Sequence, residues 1–275
     1  PPRSTLFPYT TLFRSEDGHV AVNLKNAKGT VSIKLSDIVD GLHDRGMSMP
    51  LLLRFSDLLG DRIRLINESF KKAIADYSYQ NVYRGAFPIK VNQQQQAVHD
   101  VVTFGAPYHH GLEAGSKAEL IAALAYMRDP DAFLICNGYK DAEFIDLALS
   151  SLKMGLQTIL VLETTDELNL ILERAAALNI RPRIGIRVKL SSRVGGKWSE
   201  SGGERSVFGL TPSQVIDAVD CLRDANMLDC LELLHYHLGS QIPNIREIRD
   251  AVKEASRFYV GLVREGARMG IFDIG

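Results

Sequence analysis

From Glu16 to Leu35 apolar and polar residues alternate, first through His19-Val20-Ala21-Val22-Asn23-Leu24 and then through Thr30-Val31-Ser32-Ile33-Lys34-Leu35. A period of two predicts two short strands, joined through Asn26–Gly29. The period then changes. Leu58, Leu59, Ile63, Leu65, Ile66 and Phe70 recur at helical spacing and predict a helix over Ser56–Tyr77, with Ser56 as its N-cap. Beyond it, short apolar runs alternate with amphipathic stretches. The runs predict strands at Ala86–Val91, His110–Ala114, Ala132–Cys136, Gln157–Leu162, Arg183–Val188, Leu231–His237 and Gly270–Ile274. The stretches predict helices at Lys117–Met127, Asp141–Met154, Asp166–Leu178, Thr211–Ala225 and Asn244–Glu265, with Asp166 and Thr211 as caps and Pro212 in a first turn.

Equivalent strand positions fall at Lys90, Glu113, Ile135, Leu160 and Arg187, intervals of 23, 22, 25 and 27 residues. Units of that length imply parallel strands with right-handed helical crossovers. The next interval, to His235, is 48, because Ser191–Ser206 is a polar, Gly-rich stretch that reads as a long loop. The fold expected is α/β. Seven strands point to a TIM (β/α)8-type barrel cut off after its seventh strand, behind a short β segment. An open doubly wound sheet is the rival, but no G-x-G-x-x-G follows the first strand. Gly195-Gly196-Lys197 is no phosphate-binding P-loop, since Trp198 stands where Ser or Thr is required.

Composition narrows the picture. In 275 residues, 32 Lys+Arg face 33 Asp+Glu, a net charge of −1. That balance carries no footprint for nucleic acid, and no apolar run approaches the roughly 20 residues of a membrane span. Cys136, Cys221 and Cys230 form no C-x-x-C pair, which argues for inert core thiols in a reducing, cytoplasmic setting. The first fifteen residues repeat Thr-Leu-Phe at Thr5–Phe7 and Thr11–Phe13, and Thr5–Ser15 resembles an in-frame translation of a sequencing-adapter primer. Residues 1–15 are therefore set aside as a non-native leader, expected to be irregular. Residues 16–50 are taken as the β segment and 51–275 as the barrel. The stop at Phe272-Asp273-Ile274-Gly275, straight after a strand-like run, is read as a truncation.

In such barrels the chemistry sits where strands end. Those ends carry Lys90, Glu113, Asn137, Arg187, His235, His237, Gly239, Ser240, Asp273 and Gly275. Lys90, inside an apolar strand, reads as a rim lysine or as an amine kept neutral and nucleophilic by desolvation. His235 and His237 share one strand face. They read as a metal-holding pair, as one ring against a planar cofactor, or as histidines satisfied by the backbone. Glycines at Gly239 and Gly275 suit a phosphate, and with a strand-one lysine they describe a pyridoxal phosphate pocket.

Several segments then resemble one family. They are Phe87-Pro88-Ile89-Lys90-Val91-Asn92-Gln93, Gly111–Leu120, Cys136-Asn137-Gly138-Tyr139-Lys140, Gly196–Glu204, Phe208-Gly209-Leu210, Leu234–Gln241 and Phe272–Gly275. They resemble the bacterial biosynthetic arginine decarboxylases, within the alanine-racemase-like, PLP-dependent ornithine and diaminopimelate decarboxylases. The resemblance runs from about Gly18 to Gly275. It implies a barrel of PLP fold type III, with Lys90 bonded to the cofactor and His237 stacked on its ring. Gly239 and Ser240 would lie around the pyridine and phosphate, and Glu113 and Arg187 would form a charged pair beside them. Gly275 would open a phosphate-binding loop. The implied activity is decarboxylation of L-arginine to agmatine in polyamine (putrescine and spermidine) synthesis. It is carried by a homo-oligomer, dimer or tetramer, with Mg2+ as an accessory ion. The family's chain is longer, so the segment alone is expected to be inactive. Two alternatives stay open: another basic amino acid as substrate (ornithine or diaminopimelate), and a metal-dependent barrel hydrolase using His235 and His237.

Overall fold

The computed structural model describes residues 13–16, 18–26, 29–191, 206–239, 242 and 244–275. Among these residues no helix is long and apolar enough to cross a membrane. The chain divides into two compact units, 1–80 and 81–275.

The first unit holds strands β1 (Phe13–Glu16), β2 (His19–Asn26) and β3 (Gly29–Lys34), then helices α1 (Leu35–His43) and α2 (Ser56–Asp76). The strands form an antiparallel sheet in chain order, with Phe13 opposite Val22 and Asn26 opposite Gly29. Three features differ from the sequence reading. Phe13, Arg14 and Ser15, set aside with the leader, are paired residues of β1; residues 1–12 lie outside the described residues. Leu35 opens α1 rather than closing a strand, because Leu35, Ile38, Val39 and Leu42 recur at helical spacing. Ser56 is the first helical residue of α2, and its neighbour Phe55 occupies the cap without a side-chain bond. The division into units falls after Gln80, which groups α2 with the first unit.

The second unit runs β4 (Ala86–Pro88), α3 (Gln95–Gly105), β5 (Gly111–Ala114), α4 (Lys117–Tyr126), β6 (Phe133–Cys136), α5 (Ala142–Lys153), β7 (Gln157–Leu162), α6 (Asp166–Leu178), β8 (Ile184–Arg187), α7 (Pro212–Asp224), β9 (Leu231–His235), α8 (Ile245–Arg264) and β10 (Ile271–Asp273). Its seven strands pair in chain order and all in parallel. Side chains cap four of these helices. Ser116, Asp141 and Asn244 accept from a first-turn N–H, and Thr211 forms a full capping box with Gln214. Asp166 is no cap: it is the first residue of α6, behind Thr165.

Both faces of the strands are buried, as parallel sheets require. Leu134, Leu160, Leu162, Ile184, Ile186 and Leu234 are buried on one face. On the other, Ile135, Ile159, Val161 and Leu233 pack together, with Phe133 and Ile271 against them. Gly185 makes that packing possible. Across the ladder it lies between Val161 and Leu233, and a Cβ there would meet Leu233 Cδ2 at 2.8 Å. Each buried Leu, Ile or Val contributes about 1.5–3 kcal/mol.

The sheet curls into the barrel. Lys90, after β4, lies close enough to His237, after β9, to lower the pKa of the imidazole, although four strands stand between them. In a flat sheet those strands would be about 24 Å apart, beyond the reach of a screened charge. The unit is thus a seven-stranded portion of a (β/α)8 barrel.

Candidate active site

Stepping two residues up each strand from the apolar layer changes its chemistry. Val161 is followed by Glu163, Gly185 by Arg187, Leu233 by His235 and Ile271 by Asp273, so a charged layer caps the apolar one. Register sets Arg187 beside His235 and His235 beside Asp273. His235 is buried and its Nδ1 lies 2.8 Å from Asp273 Oδ2. Asp273 Oδ1 also accepts the Gly275 N–H at 3.0 Å. Burial works against the Asp273 carboxylate, but the His235 charge and hydrogen bond prevail and its pKa is lowered.

Lys90 is not inside a strand. β4 ends at Pro88, and Ile89–Val91 form a 3-10 turn that lifts Lys90 to the rim, its side chain 62% exposed. Its Nζ lies 3.8 Å from Glu113 Oε1 on β5. His237 likewise lies past its strand, since β9 ends at His235. Burial, then the positive charges of Arg187, His235 and Lys90, push its pKa down to about 4, against the opposing pull of Asp273. At neutral pH the ring is an uncharged, flat surface.

The expected Glu113–Arg187 pair does not form. Arg187 binds Glu163 instead, with Nη1 donating to Oε1 and Oε2 at 3.1 and 3.0 Å. Glu163 and the buried Lys140–Glu167 pair behind it are not among the site residues expected from the sequence, although Lys140 closes the family-like segment Cys136–Lys140. The strand-end rule that found Arg187 reaches Glu163, one residue past β7; nothing in the pattern marks Lys140 or Glu167. His235 and His237 join no group of three ligand atoms among the described residues, so the geometry gives the hydrolase alternative no support. The group that does form, His109 with Asp129 and Asp131, precedes β5 and β6, at the opposite end of those strands. Cys136 and Cys230 are buried, but Cys221 is only partly so. Ser240, Trp198 and most of the Ser191–Ser206 loop lie outside the described residues.

The family profile for pyridoxal-dependent decarboxylases, pyridoxal binding domain, matches residues 63–275. The chain belongs to this family. It is 49% identical over 258 residues to the biosynthetic arginine decarboxylase of Nostoc sp., covering 94% of this chain and 38% of that protein. With the enzyme of the same name from Rhodopirellula baltica it shares 50% over 244 residues, 89% of this chain and 36% of that one. The crystal structure of the biosynthetic arginine decarboxylase of Campylobacter jejuni superimposes with a TM-score of 0.85 at 33% identity, over 98% of this chain and 44% of that one. A diaminopimelate decarboxylase from M. jannaschi shares the fold, with a TM-score of 0.72 at 18% identity. The chain therefore spans about 40% of the length of its curated relatives.

The donors present fit the decarboxylases' cofactor, an aromatic aldehyde bearing a phosphate. Lys90 offers an accessible amine, and His237 a neutral ring. The Asn137 Oδ1, just past β6, is buried without a hydrogen-bond partner among the described residues. Gly275, at φ +78°, brings its backbone so near the β9 exit that a Cβ would lie 2.5 Å from the Tyr236 carbonyl oxygen. Gly239, at φ +143°, has open space where a Cβ would be. Both glycines hold a positive φ that other residues rarely adopt, and the missing Cβ leaves the Gly239 backbone open to a ligand.

Proposed function

We propose that this chain is the cofactor-binding barrel of a pyridoxal phosphate-dependent arginine decarboxylase, releasing CO2 from L-arginine to leave agmatine. The exposed Lys90 amine, which shares the mouth of the barrel with the neutral His237 ring, carries this reading. The names of the relatives support the choice of arginine. Lys90 would hold the cofactor covalently, with His237 against its ring and Glu113, Arg187, Gly239, Ser240 and Gly275 around it. The bound cofactor supplies an electron sink for the bond to the departing carboxylate. His237 contributes a face and no charge, because its pKa of about 4 keeps it unprotonated at neutral pH. Arg187 presents positive charge, fixed by Glu163. The same reading places the protein in the cytoplasm, in polyamine synthesis, as a homo-oligomer with Mg2+ as accessory ion, and makes this segment inactive by itself.

The test uses the full-length protein purified with pyridoxal phosphate. Borohydride should fix a pyridoxyl label on a peptide containing Lys90, and agmatine should appear from arginine faster than products appear from ornithine or diaminopimelate. A label on another lysine removes the site assignment. Preference for another amino acid removes the substrate.

A further inference from the structure

Arg187 is held from behind by a chain of buried charge. Glu163 is 1% exposed, and both its carboxylate oxygens accept from Arg187 Nη1. Its Oε1 also accepts the Gly138 N–H at 2.9 Å. The Glu163 backbone is tied as well: its N–H donates to Glu167 Oε2 at 2.8 Å, and its carbonyl accepts the Gly209 N–H at 3.0 Å. Glu167 in turn accepts Lys140 Nζ at 3.2 Å and the Lys140 N–H at 3.0 Å. The order is Lys140, Glu167, Glu163, Arg187, two anions between two cations, so the formal charges of the chain sum to zero.

Arg187 is treated differently at its two ends. The bonds it makes use Nη1 alone, so Nε and Nη2 have no partner among the described residues. The guanidinium also lies over the Phe208 ring, 5.3 Å from its centroid, and Phe208 leans on Tyr139 with centroids 5.0 Å apart. An anion behind it and a ring over one face restrain the guanidinium, and its Nε and Nη2 edge is unbonded among the described residues.

Stability does not account for such a device. A buried ion network is commonly no more stable than apolar residues of the same volume. The apolar layer beneath is already complete. What the network supplies is orientation, which a preorganised site requires.

We propose that Glu163 is a positioning residue of the cofactor site. It turns the Arg187 guanidinium so that its free edge meets the anionic ligand, and the Lys140–Glu167 pair holds Glu163 in place. This rests on the reading that the site binds pyridoxal phosphate. Glu163 acts through Arg187 and touches no ligand itself.

A thermodynamic cycle on the full-length protein tests it. Glu163→Gln, Arg187→Gln and the double variant are compared for pyridoxal phosphate affinity of the apoprotein, by fluorescence titration, and for kcat and KM with arginine. Glu163→Gln is expected to weaken cofactor binding about tenfold and to lower kcat more than it changes KM, a coupling typical of residues in one network. In the Arg187→Gln background the same change should add nothing. Losses that multiply in the double variant overturn the proposal, as does a Glu163→Gln protein within about twofold of wild type. Should Glu163→Gln fail to fold, Glu167→Gln replaces it, since it leaves the Glu163–Arg187 contact in place. The expected loss is then about threefold, again absent when Arg187 is Gln, and an equal loss in both backgrounds overturns the proposal. A wild-type protein that binds the cofactor but does not act on arginine defeats the substrate assignment alone, because the affinity cycle still decides the role of Glu163.

Discussion

Two lysines stand just past barrel strands, one at the β4–β5 side of the mouth and one at the β6–β7 side, and they could hardly be more different. Lys90 is 62% exposed, with its nearest acid beyond hydrogen-bond distance at 3.8 Å. Lys140 is 0% exposed, and its Nζ donates to the Gly138 and Val161 carbonyls and to Glu167. An ammonium has three donors, and Lys140 has placed all of them. It has no access and no spare bond with which to meet a ligand. Lys90 has both. Availability, rather than a position inside an apolar strand, is what separates the proposed cofactor lysine from its buried counterpart. The barrel mouth accordingly has a loosely held side at Lys90 and an interlocked side at Lys140.

Exchanging each lysine for methionine is the hardest test of that contrast. Lys140→Met leaves the carboxylate of Glu167 buried and short of a counter-charge, and about 3–5 kcal/mol of stability should go with it. Lys90→Met removes nothing that is packed, so its denaturation midpoint should stay within about 0.5 kcal/mol of wild type. Covalent retention of the cofactor should vanish with Lys90. Equal stabilities for the two variants in urea would erase the distinction.

A smaller effect sharpens it on the interlocked side alone. Gly138 has φ +72°, and a Cβ there would lie 2.3 Å from the Gly115 carbonyl oxygen. Gly115 cannot simply retreat, because its N–H is bound to Glu119 Oε2 at 2.8 Å. Gly138→Ala should cost about 1–3 kcal/mol through strain and overpacking. It should also disturb Glu163, whose Oε1 accepts the Gly138 N–H. An alanine variant with wild-type stability would mean that the β5 and β6 exits are free to part.

Much of this was legible in the residues. Each barrel strand lies within the run that predicts it, and β7 coincides with Gln157–Leu162, because a parallel strand buried on both faces is an unbroken apolar run. The strand-end rule then reached Lys90, Glu113, Arg187, His237 and Gly275 without a structure. Partners were not legible. The family resemblance implied a Glu113–Arg187 pair, yet the two sit on β5 and β8, three strand spacings or about 14 Å apart along the sheet. Glu163 and Arg187 lie at the ends of adjacent strands, where register puts them side by side, and no pattern within one strand reveals register. Lys140 and Glu167 stayed hidden for a related reason: a lysine in a loop and a glutamate in a first helical turn look solvated until both are found buried. Phe13–Ser15 were lost because an apparent foreign origin says nothing about whether a segment can add an edge strand.

The smallest expected effect lies between the two sides, at His237, and its sign follows from linkage. The folded pKa is about 4, against an ordinary value of 6.5, because burial and the charges of Arg187, His235 and Lys90 outweigh Asp273. Between those pH values the unfolded chain takes up a proton that the folded chain refuses. Stability therefore rises with pH through this window, is complete above about 6.5, and is lost as pH falls toward 4. His110 moves in the same direction through burial alone, so wild type carries two such groups. His237→Gln should remove one of them. The loss of stability between pH 7 and pH 5, read from urea titrations, should shrink by about 1 kcal/mol or less, since the ring is only partly enclosed. A steeper loss in the variant would mean that His237 is protonated in the folded state and that Asp273, not the cationic side, governs it. The ring would then be a cation at working pH and a poor face for a cationic heterocycle.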